Sequence, residues 1–178
     1  MRAGWLLLLL LLGGCGDDFA EVGIEGPGPN TLRDLAHAYD PVTDRLVLFG
    51  GSEGYHYGGT WIYENRSYRY LPTDGPTPRS DASMAVDAEH RRLYLYGGRS
   101  FHLGNRIYHD DLWVFDLDTE RWARVNVDPA PSPRYRAALT FDPASQLLLM
   151  TRGYGPPDGS VDETLYGYRW GEGWFIVL

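Results

Sequence analysis

Lysine is absent, cysteine occurs once, and no stretch beyond residue 15 keeps a helical apolar period over three turns. All 16 basic residues are therefore arginine. They are scattered rather than clustered, which reads as a bias toward GC-rich codons and not as a phosphate-binding device. The formal net charge of −8 speaks against a nucleic-acid polyanion as partner and against adsorption to acidic lipid. The apolar run Trp5–Leu12 is far short of the ~20 residues a bilayer-spanning helix needs. With 22 glycines and 12 prolines punctuating the chain, short strands and turns are the economical reading. A length of 178 residues predicts one domain, and 43% hydrophobic content with 14% aromatics is ample for a core.

One pattern occurs three times. An apolar segment ends in Asp40, Asp87 or Asp142, at intervals of 47 and 55 residues. A tight turn follows, which the Asp side chain can close by accepting a bond from the backbone two residues on. Next come the runs Leu46–Phe49, Leu93–Tyr96 and Leu148–Met150, apolar at nearly every position, as a sheet covered on both faces requires. Gly50-Gly51, Gly97-Gly98 and Arg152-Gly153 end these runs. After a variable loop stand the aromatic couplets Trp61/Tyr63, Trp113/Phe115 and Tyr166/Tyr168, then Tyr68 or Tyr70, Trp122 and Trp174. A period near 50 with these contents predicts stacked four-stranded sheets, with first strands at 34–39, 81–86 and 136–141.

Residues 1–15 carry one Arg, seven consecutive leucines and then Gly13-Gly14-Cys15. This is a secretory signal pattern, and it resembles the lipobox of bacterial lipoproteins. That resemblance implies a signal peptide over 1–14, a lipidated Cys15 and a flexible tether over 15–32. It also implies membrane attachment through Cys15 in a bacterial cell envelope, outer rather than inner membrane because Gly16 and not Asp follows. At ~0.8 kcal/mol per buried methylene, one acyl chain holds weakly and two or three hold essentially permanently.

Residues 33–178 resemble the kelch repeat of kelch β-propellers and of the galactose oxidase central domain. The carrying residues are Gly50-Gly51 with Trp61; Pro78-Arg79, Gly97-Gly98, Trp113 and Trp122; and Pro133-Arg134 with Trp174. The fold expected is all-β, a kelch-like β-propeller of three four-stranded blades forming an incomplete ring. Three departures stand out. Arg152 replaces a glycine, which predicts a different local geometry there. Leu32 stands where the later repeats have Arg79 and Arg134. A tyrosine replaces the closing tryptophan of repeat one. Propellers close with about four to eight blades. A flank of about 400 Å² left uncovered forgoes on the order of 10 kcal/mol at ~25 cal/mol/Å². Truncation, two copies pairing into a six-bladed ring, or cover by another protein would each account for three blades.

The loops 52–59, 99–111 and 154–162 are expected on one rim, carrying His56, Tyr57, His102, Tyr108, His109, Asp110 and Asp162. No HxH or HxxxH spacing supports a metal, and no cofactor is implied. Tyr and His on such loops could stack on a glycan or a peptide side chain. Arg79 and Arg134 either point into a central funnel toward an anionic ligand or bond between blades. His37 is expected to be a buried structural histidine. No thiol remains once Cys15 is acylated, and no strand-turn-helix presents a serine, so a hydrolase triad has nowhere to sit. The same commitment of Cys15 removes the Cys–Tyr copper site of the resembling oxidases. The function expected is a lipid-anchored binding or scaffold module for protein or glycan, more a binder than an enzyme. The alternatives are an envelope carbohydrate-active oxidase or isomerase, or an inactive truncated propeller.

Overall fold

The computed structural model describes residues 28–29, 31–156 and 159–177. The segment 1–14, expected to be a signal peptide, and Cys15 lie outside these residues. The strands run β1 (Ala36–Asp40), β2 (Arg45–Phe49), β3 (Ser52–Glu53), β4 (Tyr55–His56), β5 (Thr60–Glu64), β6 (Ser67–Leu71), β7 (Ser83–Asp87) and β8 (Arg92–Tyr96). They continue as β9 (Arg99–His102), β10 (Asn105–Tyr108), β11 (Leu112–Asp116), β12 (Arg121–Val125), β13 (Ala138–Asp142), β14 (Leu147–Thr151), β15 (Tyr166–Arg169) and β16 (Gly173–Ile176). Three four-stranded antiparallel sheets result, ordered β1-β2-β5-β6, β7-β8-β11-β12 and β13-β14-β15-β16. The fold is all-β, built of kelch-like blades in an incomplete propeller.

Each first strand starts two residues later than the sequence suggests, because Asp34, Asp81 and Arg136 take a left-handed backbone with φ of 56–57°. That conformation breaks strand pairing. The turns after the first strands close as expected: Asp40 accepts from Val42 N at 3.0 Å and Asp142 from Ala144 N at 3.0 Å. In the middle blade Asp87 reaches one residue further, to His90 N at 3.1 Å.

The core is two layers, one at each junction between blades. Leu93, Leu95, Phe115, Leu117 and Trp122 of the second blade pack on Val47, Phe49 and Ile62 of the first. Tyr94, Tyr96, Leu112 and Val114 point the other way, onto Leu148, Met150 and Tyr168 of the third. Side chains alternate across a strand, so β8 serves both junctions and is buried at Leu93 through Tyr96. The outer blades have a neighbouring blade on one face only. His37 therefore lies exposed in β1, whose burial alternates from Ala36 to Asp40, and is not the buried structural histidine expected. Gly28, Pro29, Thr31 and Leu32, counted with the tether by sequence, dock on blade one. An added Cβ on Gly28 would press 2.3 Å from the Tyr68 ring, and Thr31 Oγ1 donates to Glu53 at 2.6 Å.

Candidate functional site

Arg79 and Arg134 are both 1% exposed; their side chains clamp the end of their own blade and their backbones join it to the preceding one. Arg79 forks onto the Asp111 carboxylate, with Nη2 at 3.0 Å from Oδ2, and donates to the Gly97 carbonyl at 3.0 Å. Its own carbonyl accepts from Gly51 N at 2.9 Å, and its amide donates to the Tyr57 carbonyl at 3.0 Å. Arg134 repeats the device one blade later. It donates to Asp162 at 2.7 Å and to the Arg152 carbonyl at 3.1 Å, while its backbone joins Gly98 and His109. A buried guanidinium already matched to a carboxylate is closed to an anionic ligand. Burial alone would raise the Asp111 carboxyl; Arg79 outweighs it and holds the group below the usual carboxylate range.

The strands β3–β4 and β9–β10 form two small hairpins that project from the glycine-pair ends of blades one and two. They meet where the His56 ring lies 5.6 Å from Phe101. Beside them runs a ladder of rings: Tyr108 on Tyr135 at 5.7 Å, and Tyr135 on Tyr154 at 5.5 Å. Arg99 lies over the Tyr135 ring at 4.6 Å. The tips carry uncovered apolar groups, with Tyr55 at 80% exposure, Leu103 at 87% and Phe101 at 53%. Of the residues singled out from sequence, His56, Tyr57, His102 and Tyr108 lie on this rim, His102 exposed. Phe101, Tyr135 and Tyr154 were missed. A recurrence did point to the last two: Tyr135 follows Pro133-Arg134 as Ser80 follows Pro78-Arg79, and bridges to Tyr154 as Ser80 bridges to Arg99.

Behind the rim, the bends that precede the first strands gather ionic groups. The buried Asp81 carboxylate accepts from Arg99 at 2.7 Å and from Arg136 at 2.6 Å, and Arg136 reaches Asp34 at 3.1 Å. His109 sits nearby with its Nε2 3.0 Å from Ser100 Oγ. Burial first, and then the Arg79 charge, push its pKa down to about 4, so the ring is neutral near pH 7. Burial and the Arg99 charge also lower His56. Among the described residues no group of three or more His, Cys, Asp or Glu is set to hold a metal. A cleft of about 530 Å³ beside the rim is lined by Asp110, Asp111, Arg124, Asn126 and Asp128. Its Asp111 is already paired to Arg79. The arrangement suits surface recognition.

Residues 18–164 match the KLHDC2/KLHL20/DRC7 Kelch-repeats domain. The chain is 28% identical to the flagellar outer-arm dynein alpha chain of Chlamydomonas reinhardtii over 163 residues, 85% of this chain and 3% of that protein. It is 30% identical to dynein regulatory complex subunit 7 of the same alga over 120 residues, 63% of this chain and 10% of that one. Acyl-CoA-binding domain-containing protein 5 of Arabidopsis thaliana shares 47% identity over 60 residues, 33% of this chain and 8% of the relative. The chain thus spans a tenth or less of the length of these relatives.

These likenesses are eukaryotic and two of them are dynein proteins, one named for the flagellar outer arm, which overturns the bacterial lipoprotein reading. With it go the palmitoylated membrane anchor at Cys15, the bacterial cell envelope location and the envelope enzyme acting on carbohydrate. The physical reason is specificity. A leucine run, two glycines and a cysteine form a short compositional pattern, whereas the repeat match engages glycines, aromatics and arginines that contact one another throughout the fold. No helix among the described residues is long and apolar enough to cross a membrane. The domain is a kelch-repeat scaffold. Its glycine pairs, aromatic couplets and blade-joining arginines, together with the match over 18–164, show that the chain belongs to the KLHDC2/KLHL20/DRC7 kelch-repeats domain family.

Proposed function

We propose that this domain is a protein-docking module, and that its recognition face is the rim made by β3–β4, β9–β10 and the Tyr108–Tyr135–Tyr154 ladder. The observation that carries the reading is the exposure of Tyr55, Phe101 and Leu103 together on one end of a rigid scaffold. Uncovered aromatic and aliphatic groups flanked by arginine have the composition of a protein interface core. His56, Tyr57, His102 and Tyr108 belong to this face, while Arg79 and Arg134 work beneath it. Two relatives are named as a flagellar outer-arm dynein alpha chain and a dynein regulatory complex subunit, which supports a place in a eukaryotic motor assembly of cilia or flagella.

The test is saturable binding of the full chain to purified axonemal dynein arms and dynein regulatory complex. Phe101→Ser with Leu103→Ser is expected to weaken retention at least tenfold with the melting midpoint unchanged. Arg121→Glu, on the outermost strand of blade two, is expected to bind as the parent does. Undiminished binding by the double rim variant would remove this face from the reading.

A further inference from the structure

The two glycines that end each second strand answer separate demands. The second one, Gly51, Gly98 or Gly153, faces its own blade: a Cβ there would lie 3.0, 2.9 or 3.1 Å from the carbonyl oxygen of Arg33, Ser80 or Tyr135. All three blades keep it. The first one, Gly50 or Gly97, faces the next blade, and a Cβ would stand 2.3 Å from the carbonyl oxygen of Arg79 or Arg134. Blade three has Arg152 at this place. The expectation of a different geometry there is wrong, since Arg152 has φ 61° against 73° and 68° for Gly50 and Gly97. Its backbone is that of the glycines, but it carries an exposed side chain where a following blade's carbonyl would need to be.

We infer that Arg152 is a stop residue for the blade array. It closes the outer flank of blade three to any further blade docked through the joint this chain uses twice, whether that blade comes from a second copy or from elsewhere. Blade one is altered in a matching way. Leu32 occupies the position of Arg79 and Arg134, and by strand register Gly59 occupies that of Asp111, so the arginine clamp is missing there as a pair. Two copies set head to tail would bring the Leu32 carbonyl onto the Arg152 side chain, so they do not form a six-bladed ring with regular joints.

The test uses the full chain carrying Cys15→Ser, Thr31→Cys and Glu163→Cys. Positions 31 and 163 correspond to Pro78 and Gly58, where an added Gly58 Cβ would lie 3.2 Å from Pro78 Cγ across the first joint. Mild oxidation is expected to give no 31–163 disulfide between copies, even after Leu32→Arg with Gly59→Asp restores the clamp. Adding Arg152→Gly to that restored chain is expected to raise the yield of linked dimers at least tenfold, with the bond mapped by peptide mass spectrometry. Comparable linking while Arg152 is present overturns the inference. So does a restored Arg152→Gly chain that keeps its far-UV circular dichroism and links no better.

Discussion

Trp122 and Trp174 hold the same place in successive blades and differ by one hydrogen bond. Each packs edge-on to the matching ring of the preceding blade, Trp122 on Phe49 at 5.4 Å and Trp174 on Tyr96 at 5.5 Å. Trp122 Nε1 donates to Thr60 Oγ1 at 2.8 Å. By strand register Leu112 stands where blade one has Thr60, and Trp174 Nε1 is buried with no partner among the described residues. Trp122→Phe removes the same ring area as Trp174→Phe but strands a buried hydroxyl, at a cost of about 1–3 kcal/mol. Trp174→Phe instead removes a donor that was already unpaired. Urea unfolding is expected to show Trp122→Phe as the more destabilising by about 1–2 kcal/mol; equal losses would deny the hydrogen bond its role. The recurrence of these rings marks them as packing residues in the sequence. The orphaned indole was not visible there, because it depends on residue 112, which neighbours residue 174 only once two blades are stacked.

At the level of the strand, the continuous apolar run Leu93–Tyr96 was rightly read as a strand covered on both faces, because every residue in it is wanted by one junction or the other. The same reading fails in part for the second strands of the outer blades, where Leu46 and Leu149 are only half-buried; in β1, position 37 faces no blade, and a histidine there costs nothing to expose. The glycine pair was legible as a pair, but its division of labour was not. One member is held by contacts inside the blade and the other by a carbonyl from the next, two distances that only the packed sheets bring together. Gly97→Ala therefore meets both left-handed strain and the Arg134 carbonyl at 2.3 Å. It should cost upward of about 2 kcal/mol. Gly104→Ala, at φ +82° with nothing within 4 Å of the added Cβ, meets the strain alone, at about 1 kcal/mol. Thermal melts of the two variants check the difference. A Gly97→Ala chain as stable as Gly104→Ala would mean the joint yields to the added methyl.

For the molecule as a whole, the joints couple stability to pH. The His109 carbonyl accepts from Arg134 N at 3.1 Å across the junction of blades two and three, while its ring lies against Ser100 Oγ at 3.0 Å and near the Arg79 charge. Its folded pKa of about 4 is below the ordinary 6.5. Between those values the unfolded chain takes up a proton that the folded one refuses, so this contribution is complete above pH 6.5 and is lost as pH falls toward 4. Asp40 follows at lower pH. Burial would raise it, but Arg91, Thr43 and the Val42 amide outweigh that and hold it at about 2, so its contribution is lost from about pH 4 downward. The melting midpoint is expected to drop from pH 7 to pH 4, and less steeply in His109→Gln. Identical slopes would place the proton uptake elsewhere.

What the sequence determined by itself was the local and the periodic: strands ended by an Asp turn, glycines where the backbone must be left-handed, and a repeat long enough for a four-stranded unit. These follow from the preferences of single residues and their neighbours along the chain. The tertiary structure alone decided which distant groups meet. It buried Arg79 against Asp111, left the Trp174 indole unpaired, gathered Phe101, Tyr135 and Tyr154 onto one rim, and made Arg152 an obstacle to a following blade. Each brings together residues far apart in the chain, either within one blade, as for Arg79 and Asp111, or across a joint, as for Trp174 and Leu112.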